Sequence, residues 1–176
     1  MTQAAGPAGS DTDAVISLTG RFADRDAWQA EGWCRIEHAL ELIGTRSAMI
    51  LMREIYYGGR RFDDLARRTG LTEAVAAKRL KQLVADGLLQ RRPYQDPGKR
   101  TRYEYVLTDL GRDLFPVLVA LIQWGERLGR PGGVELVHVG CGSPLGVVVS
   151  CAKGHEVALP DTAARLVADG DGASAS

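Results

Sequence analysis

Apolar residues show no pattern at the start of the chain and then fall into helical spacing. Residues 1 to about 14 are rich in Ala, Gly, Ser and Asp without periodicity, and the final GDGASAS is alike, so both are expected to lack fixed structure. From about Ala27 the pattern becomes helical, with Ile36, Ala39, Leu40 and Ile43 leading up to a stop at Gly44. TRSAMILMREIYYGG predicts a second helix, with Thr45 as N-cap and inward residues drawn from Met49, Ile50, Leu51, Met52 and Ile55; Gly58 and Gly59 end it. FDDLARRTG predicts a short helix with Phe62, Leu65 and Ala66 inward and Gly70 just beyond it. TEAVAAKRLKQLVADG follows at once, with Thr72 at the N-cap position and Ala76, Leu80, Leu83 and Val84 on one face. Two helices around a Gly-containing turn of about four residues make a helix-turn-helix pattern.

After Gly87 the period changes. LLQRRPY and RTRYEYVL read as strands rich in aromatic and branched residues, and the Pro-Gly of QDPGK turns one into the other. Helices followed by such a hairpin follow the order of a winged helix-turn-helix. Thr108 then opens a long helix through Leu110, Leu114, Val117, Leu118, Leu121, Ile122 and Leu128, in which Pro116 predicts a kink or a late start. Phe115 and Val119 make this helix more apolar than one core-facing stripe requires. It is either wholly buried in the monomer or half of a dimer interface.

Composition sets bounds on this picture. The chain has 176 residues, enough for one main domain with an appendage, and 45% hydrophobic with 25% charged residues is ordinary for a globular protein. No basic and apolar leader is seen at the start, and apolar runs such as FPVLVALIQW are about half the roughly 20 residues of a membrane span. A cytoplasmic location is expected. Lys plus Arg and Asp plus Glu each number 22, yet the balance is uneven. Residues 1–33 hold 2 basic and 5 acidic residues, 34–108 hold 15 and 9, and 109–176 hold 5 and 8. A centre at +6 between flanks at −3 points to a polyanionic partner.

Much of that excess lies in RRPYQDPGKRTRYEYVLT, where Lys99, Arg100 and Arg102 could lie along phosphates or enter a minor groove, with Arg91 and Arg92 as alternating additions. Tyr103 and Tyr105, two apart on one strand face, are expected to pack on the helices. In the second helix of the helix-turn-helix, Thr72, Glu73, Ala74, Lys78 and Arg79 are the candidates for base contacts, and Lys81 shares the outer face. Arg79 and Lys81 otherwise solvate that face. Arg46, at a helix start, and Arg60 or Arg61, before Phe62, are further phosphate candidates.

Residues 34 to about 128 resemble the HxlR-type family of bacterial winged-helix transcriptional regulators. The likeness is carried by Cys34, LELIGTRSAMILMREI, GGRRFDDL, LTEAVAAKRLKQLVADGLLQRR, RYEYVLTDLGRDL and PVLVALIQWGERL, in that order. It implies a dimeric DNA-binding repressor or activator controlled by a small ligand or by thiol chemistry. Arg46-Ser47 stands where the family usually has Lys-Trp, and Ala74 and Ala77 replace part of a polar outer face, so no operator sequence is carried over.

Three cysteines remain. Cys34 holds a family-like position at the first helix, where some members resemble redox or electrophile sensors, and a thiol at a helix N-terminus beside Arg35 can be activated; the alternative is a packed thiol. In the tail, His138, Cys141, Cys151 and His155 form an H-x2-C-x9-C-x3-H pattern that could surround a structural zinc, or cap a hairpin with free thiols. Some relatives carry a similar extension with more cysteines; here Gly154-His155 replaces a Cys-Gly pair. No GxSxG, P-loop or dinucleotide fingerprint occurs, and no reaction or required cofactor is expected.

The expected protein is mainly α with a small β component. Residues 1–26 form a loose arm, 27–130 a winged helix-turn-helix with a long C-terminal dimerisation helix, 131–160 a small β-rich and zinc-ribbon-like extension, and 161–176 a mostly disordered tail. Its expected partners are double-stranded DNA, a second copy of itself and a small-molecule effector. A competing reading makes the winged helix a protein-interaction module with an acidic partner.

Overall fold

The computed structural model describes residues 15–24, 34–95, 98, 100–129 and 133–166. Its elements run β1 (Ser17–Leu18), α1 (Arg35–Ile43), α2 (Arg46–Tyr56), α3 (Phe62–Thr69), α4 (Glu73–Ala85), β2 (Leu89–Tyr94), β3 (Arg102–Leu107), α5 (Asp109–Asp113), α6 (Phe115–Glu126) and β4 (Ala163–Ala164). They fall into two compact units, one within Gly32–Val147 and one combining Met1–Glu31 with Val148–Ser176.

In the larger unit each helix boundary has a local cause. The Thr45 hydroxyl accepts from Ala48 N–H at 3.2 Å to start α2, and Thr72 accepts from Val75 N–H at 3.4 Å to start α4. Helix α3 places Asp63 and Asp64 in its first turn and Arg67 and Arg68 in its last, matching its dipole, and ends at Gly70 with φ 65°. A side chain there would strain the left-handed backbone that turns α3 into α4.

The core joins three helices and the hairpin. Ala48, Leu51, Met52 and Ile55 of α2, Leu65 of α3, Leu80 and Leu83 of α4, and Leu88 with Leu89 at the start of β2 form one buried cluster. Leu51, Met52, Leu65, Leu80, Leu83 and Leu89 are fully enclosed, each worth roughly 1.5–3 kcal/mol of burial. These are the inward faces that the helical spacing predicts. β2 and β3 pair antiparallel from Leu89 opposite Leu107 to Tyr94 opposite Arg102. Arg61 bridges to Glu104, and Tyr105 N–H donates to the Arg60 carbonyl at 2.8 Å, so the segment before α3 adds a third line to the sheet.

The expected long helix is interrupted. α5 ends at Asp113, and α6 begins at Phe115 with Pro116 in its first turn, where a missing N–H costs nothing. Leu118 and Val119 of α6 are buried, while Val117, Leu121, Trp124 and Leu128 are 43%, 44%, 62% and 61% exposed along one stripe. In α1 nothing is buried: Ile36 is 72% exposed and Leu40 56%. Ile36 and Leu40 therefore face away from the protomer's core, while Leu42 and Ile43 at the end of the helix pack against it.

Residues 133–147 group with the helices, and the division falls after Val147 rather than at residue 130. One tie is visible: Gln123 of α6 accepts from Val147 N–H at 2.8 Å. Within this stretch the β content is a single bridge, Val137 to Pro144.

In the smaller unit β1 and β4 pair parallel, Ser17 with Ala163 and Leu18 with Ala164, and Thr19 donates to the Ala164 carbonyl at 3.3 Å. Short 3₁₀ turns occupy Gly20–Ala23 and Leu159–Asp161, and Ser150 bridges to Glu156. Parts of the expected loose arm and tail are thus ordered against each other. Strands of two residues have no period to detect. The remaining residues of those stretches lie outside the described ones.

Candidate nucleic-acid interface

Helix α4 is held by Ala76, Leu80 and Leu83, which leaves the opposite face to solvent. Thr72, Glu73, Ala74, Lys78 and Lys81 are exposed there, and Arg79 lies half-buried on the flank. α4 packs against α2, α3 and β2, so its inner side is fully used by the fold. Thr72 spends a lone pair on its cap, and Glu73 adds an acceptor at the positive end of the helix. The outer face can donate from Lys78, Arg79 and Lys81, accept at Glu73, and offer a methyl at Ala74.

The wing follows directly. Arg100 and Arg102 are exposed at its far end; Lys99 lies outside the described residues. The alternation of the strand sorts the other cations. Arg92 is engaged by Glu104, with its Nε 2.6 Å and its terminal nitrogen 2.5 Å from one carboxylate oxygen. Arg91 lies over the Tyr103 ring, 4.1 Å from its centre. Tyr103 is 48% exposed, so it serves as a platform for Arg91 instead of packing on the helices, whereas Tyr105 does pack against the core. The expectation for the tyrosine pair holds for one member.

A second basic cluster lies between α3 and β3. A cleft of about 290 Å³ is lined by Arg60, Arg61, Arg68, Asp64 and Glu104. The Arg61 guanidinium lies 4.7 Å from the centre of the Tyr94 ring. Arg67 binds Asp64 at 2.7 Å, and its guanidinium holds the Asp64 carboxyl below the usual carboxylate range. Arg68 is not evident from sequence spacing; it joins the cluster only because β3 folds back on the segment before α3. Arg46 is exposed at the first position of α2, directly after the Thr45 cap.

The cysteine chemistry lies elsewhere. Cys34 is the N-cap residue of α1, half-buried, with no side-chain capping bond. His138 Nδ1 is 3.3 Å from Cys141 Sγ, and Cys151 Sγ is 3.6 Å from His155 Nδ1. Hydrogen bonds from Ser143, then His138, bring the Cys141 thiol down to about 7, and the backbone N–H groups of Lys153 and His155 lower that of Cys151. Among the described residues no three His, Cys, Asp or Glu side chains gather as metal ligands. Each pair supplies two donors, against the four of a structural zinc site.

Comparisons with known proteins agree with this arrangement. The family model for the HxlR-like helix-turn-helix matches residues 42–132. The HTH-type transcriptional regulator Rv3095 of Mycobacterium tuberculosis is 46% identical over 149 residues, covering 82% of this chain and 87% of that protein. The regulator YybR of Bacillus subtilis is 35% identical over 95 residues, 53% of this chain and 74% of its own. Among solved structures, PA1607, assigned as a transcription factor, superposes with a TM-score of 0.69 at 34% identity, covering 79% of this chain and 97% of that one. PA1374 from Pseudomonas aeruginosa, also assigned as a transcription factor, gives 0.54 at 34% identity, covering 80% and 95%. A mostly helical fold with a small wing, a basic outer face and these likenesses place the chain in the HxlR-like helix-turn-helix family of DNA-binding transcriptional regulators.

Proposed function

We propose that the protein works in the cytoplasm as a homodimeric repressor on a pseudo-palindromic operator. Each α4 enters a major groove with Thr72, Glu73, Ala74, Lys78 and Arg79 toward base edges, and Lys81 beside them. The wing residues Lys99, Arg100 and Arg102 take phosphates or the adjoining minor groove, and Arg46 and Arg61 anchor the flanking backbone. Half-sites would lie roughly one turn, about 34 Å, apart. The observation that carries this reading is the exposed outer face of α4 running straight into a wing whose Arg100 and Arg102 are exposed at its far end.

A second copy is the natural cover for the apolar stripes of α1 and α6. Ile36, Leu40, Leu121 and Trp124 are too exposed for a protomer that stays alone in water. Cys34 sits at the head of α1, so a modification of its thiol would act on that interface; Cys34→Ser should then abolish any release of DNA by peroxide.

The test is fluorescence anisotropy with a random and a specific duplex over a salt series. Changing Arg100 and Arg102 together to Ala should weaken both complexes and lower the slope of log affinity against log salt by about 2. An unchanged slope would remove the wing from the interface.

A further inference from the structure

Between α2, α6 and residues 133–135 lies a cavity of about 770 Å³ that the DNA-reading role leaves unused. Among the described residues that line it, its charge is unbalanced. Arg53 binds its neighbour Glu54 at 2.7 Å, and Glu54 is only 8% exposed, so that pair is neutral at the cavity wall. Glu126 and Glu135 also line the space, and neither has an ion-pair partner among the described residues. Two carboxylates are thus left over. Tyr57, Ile122 and Val134 add apolar surface to the lining of the same space.

Gly125 keeps the space open. It lies in α6 with ordinary helical geometry, where glycine is the least favoured residue after proline. A Cβ built there meets no atom within 4 Å, so close packing within the protomer does not explain the missing side chain. Any larger residue would take up room in the cavity.

We propose that this cavity binds a small organic cation with an apolar body, an ammonium or phosphonium class of ligand, and that its occupancy changes the affinity for DNA. The cation answers Glu126 and Glu135, the Tyr57 ring offers a π face, and the apolar walls take the body. The second half rests on the function proposed above. α2 supports α4 and carries Arg46, while α6 bears the stripe assigned to the second copy. A ligand held by both favours one setting of reading head against dimer helix, and only such differential binding can shift DNA affinity.

Two ions of one shape and opposite charge test the site. Calorimetric titration of the full chain, without DNA, should show tetraphenylphosphonium binding and tetraphenylborate binding at least tenfold more weakly. Glu126→Gln with Glu135→Gln should cut the cation affinity about tenfold. Gly125→Leu should abolish it with a melting temperature no lower than the parent's, because leucine is the better helix former. Equal binding of the two ions, or undiminished affinity in both variants, overturns the site. Saturating cation should then change the affinity for random duplex severalfold in the parent and not in Gly125→Leu; an unchanged affinity in the parent overturns the coupling. A protein that binds duplex but no cation loses this site and keeps the regulator reading, and one that binds the cation but no duplex does the reverse.

Discussion

At the scale of single residues, Gly111 and Tyr56 hold the joint between α2, the end of β3 and α5, which leads into α6. The Thr108 hydroxyl accepts from Gly111 N–H at 3.0 Å, and the Gly111 carbonyl accepts from Tyr56. A Cβ on Gly111 would lie 2.1 Å from the Leu88 carbonyl oxygen, which is main chain and cannot turn aside. Gly111→Ala should therefore cost about 2–3 kcal/mol, read as a lower denaturation midpoint with an unchanged slope. Burial, assisted by the Asp113 carboxylate, pushes the Tyr56 phenol up to about 12 from its ordinary 10.0. The folded state thus keeps the proton that the unfolded chain gives up first. Its contribution is complete below pH 10 and lost as pH climbs toward 12. Tyr56→Phe should cost about 1 kcal/mol at neutral pH and should lack this alkaline loss relative to the parent. Thr45 and Thr72 are legible from sequence because a cap and its helix are neighbours. Gly111 is not, because what crowds it is contributed by Leu88 across the chain.

At the scale of elements, the inward faces of α2, α3 and α4 and the two strands of the wing follow from apolar spacing, and they form as that spacing predicts. The charges on the wing do not. Cross-strand pairing puts Glu104 opposite Arg92, so one cation of the wing is already committed within the protein. Glu104→Gln should release it and raise affinity for random duplex about two- to fivefold at low salt, with the gain vanishing as salt rises. Lys78→Ala should behave differently, altering preference among operator sequences more than overall affinity. Anisotropy against a panel of single-base operator variants separates the two effects.

At the scale of the whole molecule, the apolar faces that find no cover among the described residues matter most. The stripe of Val117, Leu121, Trp124 and Leu128 has the period of a buried helix, which is why sequence alone leaves open whether the monomer or a second copy buries it. Its exposure here favours the second copy. On the proposed homodimer, Leu121→Glu with Trp124→Glu should give a monomer in light scattering and weaken operator binding by at least about tenfold, because two half-sites would no longer be engaged together. The pairing of β1 with β4 was beyond sequence reading altogether: Thr19 and Ala164 are 145 positions apart, and neither strand is long enough to alternate. That separation has a consequence during translation. Ser17 and Leu18 are added to the chain roughly 7–30 s before Ala163 at ordinary elongation speeds. The helices of the larger unit can be assembled in that interval, while the β1 segment waits for the β4 segment to be made.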